Sequence, residues 1–101
     1  MPAYLLFVRE GAVKDDAKFM DYQMAMQANG PKVAMNPLIV YGASTALEGT
    51  APDGVVLLQF DTAENAKAWY HSPEYEVAKQ HRFKAADYRV TLIEGFTMPG
   101  Q

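Results

Sequence analysis

The chain has no cysteine, so disulfides, thiolate metal sites and thiol catalysis are excluded. Basic residues are few. Six Lys and three Arg are scattered among 101 residues carrying a net charge of −3, with no clustered face to displace counterions from a phosphate backbone, and nucleic acid is not an expected partner. Long apolar runs are absent. Ala3 to Val8 is closed by Arg9-Glu10, too short for a secretory core and far below the roughly 20 residues that span a bilayer, so no membrane is expected and the expected compartment is the cytoplasm. No glycine-rich phosphate loop follows a strand. Gly42-Ala43-Ser44 lacks the second glycine of a nucleophile elbow, and neither nucleotide nor other cofactor is implied. His71 and His81, the only histidines, form no helical i, i+4 pair and no His-x-x-x-Glu spacing, so no metal site is expected.

What is present is an ordinary globular composition, half of it apolar or aromatic, filling a single domain over 1–101. Ala3 to Arg9 reads as a strand, and Lys14 to Ala28 as a helix with Asp15 and Asp16 at its positive end. Val13, Ala17, Met20 and Met24 form one buried stripe on it, and Phe19, Tyr22 and Met26 a second. Asn29-Gly30-Pro31 reads as its stop. Pro37 to Glu48 is a long second strand with Gly42 a candidate bulge, Gly49 to Gly54 a turn, and Val55 to Phe60 a third strand. Asp61-x-x-Glu64 is a capping signature opening a helix to Tyr70. Ser72-Pro73 breaks that helix and restarts another to about Ala86, with Ser72 as its cap. Tyr88 to Phe96 is the last strand, and 97–101 a short tail.

The order β-α-β-β-α-β predicts an α+β, ferredoxin-like domain: a four-stranded antiparallel sheet with its helices on one face. The other face should then be wet and polar, but it is not. Tyr4, Leu6 and Val8 oppose Leu5 and Phe7; Val55 and Leu57 oppose Val56, Leu58 and Phe60. A patch this apolar demands a cover, and a second copy of the chain, sheet on sheet, is the expected one.

Ala68-Trp69-Tyr70-His71-Ser72-Pro73-Glu74-Tyr75, then Arg82 and Ala85-Ala86, stand between Leu47-Glu48-Gly49 and Leu92-Ile93-Glu94-Gly95. With these segments the chain resembles, from Pro2 to Gly95, a mostly bacterial family known as domain of unknown function 1330. The resemblance implies the dimeric α/β-barrel superfamily, in which two ferredoxin-like sheets close face to face. That superfamily includes cofactor-free monooxygenases of aromatic polyketides, lactone isomerases, haem-handling enzymes and domains without known activity, so the fold leaves function open. This chain departs from the family pattern in having Tyr41-Gly42-Ala43 where an arginine commonly precedes paired glycines. It also has Thr50-Ala51-Pro52 where a tryptophan often follows Leu-Glu-Gly. If those positions touch a ligand in the family, a different ligand is implied here.

The candidate ligand-binding residues are Tyr41, Trp69, Tyr75 and Arg82, with His81 and Glu48 as candidate acid–base groups. Aromatics with polar tips beside a helix break can stack a planar ligand, or Trp69 and Tyr75 can pin the helices to the sheet. Arg82 can hold a ligand carboxylate, or bridge to Glu48 or another acid. His81 titrates near neutrality but can equally be a helix-face residue, and Glu48 serves as a base only if burial raises its pKa. Two functions fit. One is a homodimeric small-molecule binder or cofactor-free enzyme on a planar or carbonyl-bearing metabolite. Its room would come from Ala66, Ala78, Ala85 and Gly42, provided that Met20, Met24 and Phe60 do not fill the space. The other is a non-catalytic dimeric interaction domain without a pocket of ligand size.

Overall fold

A computed structural model describes residues 1–29 and 33–96. Four antiparallel strands are laid out in the order β2-β3-β1-β4, with β1 at Ala3–Arg9, β2 at Asn36–Val40, β3 at Gly54–Phe60 and β4 at Tyr88–Glu94. The helices are α1 (Asp16–Asn29), α2 (Ala63–Tyr70) and α3 (Pro73–Ala85). The expected ferredoxin-like α+β topology is present. The proposed helix stop and the tail beyond Phe96 lie outside the described residues.

Alternation sets the two faces of the sheet. Ala3, Leu5 and Phe7 of β1 are buried under the helices, as are Leu58 and Phe60 of β3, while Tyr4, Leu6 and Val8 lie on the opposite face. Trp69 of α2 is 1% exposed and rests on Phe7 and Phe60, at ring-centroid distances of 6.4 and 5.8 Å. Burying one such aromatic side chain stabilises the fold by about 3 kcal/mol. Ser72 holds the break between α2 and α3: its Oγ accepts from the Tyr75 N–H at 3.2 Å and donates to the Trp69 carbonyl at 2.8 Å. With Pro73 at the first helical position, this is the cap expected at Ser72.

Four expectations need correction. The second strand ends at Val40, not Glu48, because Tyr41 takes a left-handed backbone (φ 54°) and the chain from Gly42 to Glu48 runs exposed. The irregularity in β2 lies between Pro37 and Ile39, so Gly42 is not a bulge. The cap of α2 is Thr62, whose Oγ1 accepts from the Asn65 N–H at 3.1 Å, one residue beyond the Asp61 expected from sequence. On α1, Met20 and Met24 are 60% and 59% exposed, whereas Tyr22, Ala25 and Met26 turn inward. Apolar residues ring this helix, so sequence spacing offered two stripes, and docking against α3 selected the second.

Candidate functional site

The helices do not fill the space they cover. α2 sits directly on β1, β3 and β4, while α1 packs chiefly against α3. This leaves a cavity of about 450 Å³ between α1 and the sheet. Its floor is Phe7, Pro37, Val40, Val56, Leu58 and Tyr88, its roof Tyr22, Gln23, Met26 and Gln27, and its sides Met35, Tyr41 and Trp69. Met20, Met24 and Phe60 do not occupy it, and the room does not come from Gly42, which is exposed outside any strand. Ala66, Ala78 and Ala85 are buried in helix packing elsewhere.

Two pairs of phenols give this apolar wall its polar chemistry. Tyr41 Oη and Tyr88 Oη are 2.6 Å apart, and Tyr22 Oη and Tyr75 Oη 2.8 Å apart. The left-handed turn at Tyr41 carries that ring back toward the sheet, where it meets Phe19 edge-on at 6.1 Å. Gly54 makes this possible: a side chain there would begin 3.1 Å from the Tyr41 ring. Burial raises the pKa of Tyr22, Tyr41 and Tyr75 above the ordinary 10, so these three are protonated donors at neutral pH. A hydroxyl pair shares one hydrogen bond but owns two protons, so each pair retains one O–H for a third group.

Arg82 stands behind this wall. It is 3% exposed, and its Cζ lies 5.5 Å from the ring centres of both Phe7 and Tyr88, which line the cavity. Nη2 donates to Tyr70 Oη at 3.3 Å, while Nε and Nη1 are buried with no hydrogen-bond partner among the described residues. Burial opposes its charge, the hydrogen bond accepted by Tyr70 Oη favours it, and the guanidinium stays protonated.

Of the residues singled out from sequence, Tyr41 and Trp69 line the cavity, and Tyr75 and Arg82 form the layer behind it. The two acid–base candidates are not brought there. Glu48 is exposed after the end of β2, and half-buried His81 lies on α3 away from the lining. Arg82 has no ion pair with Glu48 or any other acid among the described residues. Tyr22 and Tyr88 are the additions. From sequence Tyr22 is visible only as part of an apolar stripe and Tyr88 only as a strand start, and the pairing of phenols far apart in the sequence leaves no local signature.

The fold and cavity define a ferredoxin-like α+β domain with an aromatic-lined pocket between α1 and the sheet. The chain belongs to the family described as domain of unknown function (DUF1330), whose model matches residues 2–96. Similar solved structures include the RPA0582 protein of unknown function from Rhodopseudomonas palustris, at 14% identity, covering 96% of this chain and 84% of that one, with a TM-score of 0.66. An ethyl tert-butyl ether D (EthD) family protein from Bacillus halodurans is 12% identical, with 95% and 100% coverage and a TM-score of 0.61. A dimeric protein of unknown function and ferredoxin-like fold from Bacteroides fragilis is 14% identical, with 93% and 96% coverage and a TM-score of 0.57. At these identities the likeness is one of fold. No curated protein matches the chain. No helix among the described residues is long and apolar enough to cross a membrane.

Proposed function

We propose that this chain is a homodimeric small-molecule binder whose ligand, a planar or carbonyl-bearing metabolite, occupies the cavity between α1 and the sheet. The observation that carries this reading is the cavity itself. Its volume of about 450 Å³ exceeds the ~300 Å³ at which ligand pockets begin, and its apolar wall is broken by paired phenols. Flat aromatic walls stack a planar ligand, and the spare hydroxyl proton of each pair can donate to a carbonyl oxygen. Such a donor polarises the carbonyl without a metal or cofactor, which is the chemistry this site could contribute if it acts as an enzyme. A pure interaction domain would have no use for this volume.

Trp69 is the only tryptophan and stands in the cavity wall, so its fluorescence reports occupancy. Titration with 2-acetylnaphthalene should give a saturable change in wild type. That change should disappear in the double variant Val56→Trp, Trp69→Phe, which fills the floor and keeps one indole as reporter. Absence of a saturable signal for planar carbonyl compounds, together with a bare chain in native mass spectra of fresh protein, refutes the reading.

The dimer rests on the outer sheet face. Tyr4, Leu6, Val8, Val55 and Leu57 lie there beside Ile39 and Ile93, which are 40% and 44% exposed. A second copy is the cover we assign, in keeping with the description of the Bacteroides fragilis structure as dimeric. Sedimentation should give twice the chain mass of 11.2 kDa, and Leu57→Arg should halve it. A wild-type particle of 11.2 kDa at micromolar concentration would exclude the dimer.

A further inference from the structure

Arg82 raises a question that the phenol pairs do not answer. A guanidinium is always protonated, and enclosing one without a counter-charge is costly. Among the described residues no carboxylate lies within ion-pair distance of it, and two of its nitrogens lack an acceptor. Its Cζ lies instead 5.5 Å from the Phe7 ring, 5.5 Å from Tyr88 and 6.0 Å from Tyr75. Aromatic faces repay part of the lost hydration but supply no net negative charge.

Two of those rings, Phe7 and Tyr88, are also cavity wall, so the uncompensated charge stands one ring deep behind the pocket. Its field extends that far. Burial raises the pKa of Tyr22, a lining residue, and the charge of Arg82 pulls it the opposite way.

We propose that the ligand of this cavity is a planar organic anion, a carboxylate or an enolate, held with its negative end toward the Phe7–Tyr88 wall and neutralising Arg82. This rests on the small-molecule reading above and adds the ligand's charge to it. The spare phenol protons then donate to the anion's oxygens, and the guanidinium sets the sign that the pocket accepts. A unit charge roughly 8 Å away, at an effective dielectric near 20, changes affinity by more than tenfold.

The test uses two flat probes of the same shape, 2-naphthoate and 2-naphthamide, titrated against Trp69 fluorescence at one ionic strength. Wild type should bind naphthoate at least tenfold more tightly. Arg82→Met, which keeps the length and apolar bulk of the side chain, should erase that preference while binding naphthamide within about twofold of wild type. Equal affinity for the two probes in wild type, or a preference that survives in Arg82→Met, overturns the proposal. If Arg82→Met does not fold, Arg82→Gln replaces it, and a wild-type ratio near one is decisive without either variant. Failure of both probes to bind refutes the small-molecule reading underneath, whereas binding of both without preference refutes only the anion.

Discussion

The hydrogen bond between Tyr22 and Tyr75 joins the helix that roofs the cavity to the one behind it, and a double-mutant cycle measures its strength. Replacing either residue with Phe keeps the ring and its edge-on contact, with centroids 6.2 Å apart, and removes only a hydroxyl. Tyr22→Phe strands the Tyr75 hydroxyl in a residue with no exposed surface, at about 2 kcal/mol. Tyr75→Phe strands the Tyr22 hydroxyl at the cavity wall, where hydration is easier, at about 1 kcal/mol. With both replaced, neither hydroxyl is left stranded and the loss should stay near 1 kcal/mol, leaving a coupling of about 2 kcal/mol. Urea unfolding followed by Trp69 fluorescence, at one fixed protein concentration because assembly adds to stability, reads these values directly. At a slope of ~1 kcal/mol/M, Tyr22→Phe moves the midpoint by about 2 M. Losses that add to within ~0.5 kcal/mol would show that the hydroxyls act independently, and the tether argued for α1 would be refuted.

Three other outcomes follow from the same geometry. Because burial raises the pKa of Tyr22, Tyr41 and Tyr75, the folded chain keeps protons that the unfolded chain releases above pH 10; their stabilisation is complete below that pH and declines above it. The decline should approach ~4 kcal/mol per pH unit for the three together, and the phenolate absorbance of these residues should rise only with loss of circular dichroism. Gly54→Ala places a methyl group 3.1 Å from the Tyr41 ring, so the ring must give way and the 2.6 Å bond to Tyr88 loosens; about 1 kcal/mol should be lost in urea unfolding, with weaker binding in the cavity. Ser72→Ala removes the cap of α3 and should cost ~1 kcal/mol, seen as a melting point lower by about 4–8 °C.

Legibility tracked how local each determinant was. β1, β3 and β4 could be read because each is a short run rich in strand-forming residues, and the start of α3 because Ser72-Pro73 combines a cap with the residue that best follows one. The end of β2 could not be read, since Val40-Tyr41 are both strand formers and the turn at Tyr41 accompanies contacts with Tyr88 and Phe19, far away in the chain. The site divides the same way. Trp69, Tyr75 and Arg82 stand out as residue types around the break between α2 and α3, whereas Tyr22 and Tyr88 gain meaning only from their partners across the molecule. Glu48 misled because its interest depended on being a strand end.

The positive φ of Tyr41 means that one residue bears two opposed demands. A left-handed backbone disfavours every side chain, so Tyr41→Gly would relax the main chain by about 1 kcal/mol while deleting a ring from the pocket. The ring also carries the bond to Tyr88 and the edge-on contact with Phe19, so its loss costs about 3 kcal/mol and the main chain returns only part of it. A melting curve would therefore understate what the phenol is worth, because strain released in the main chain masks part of the loss at this position.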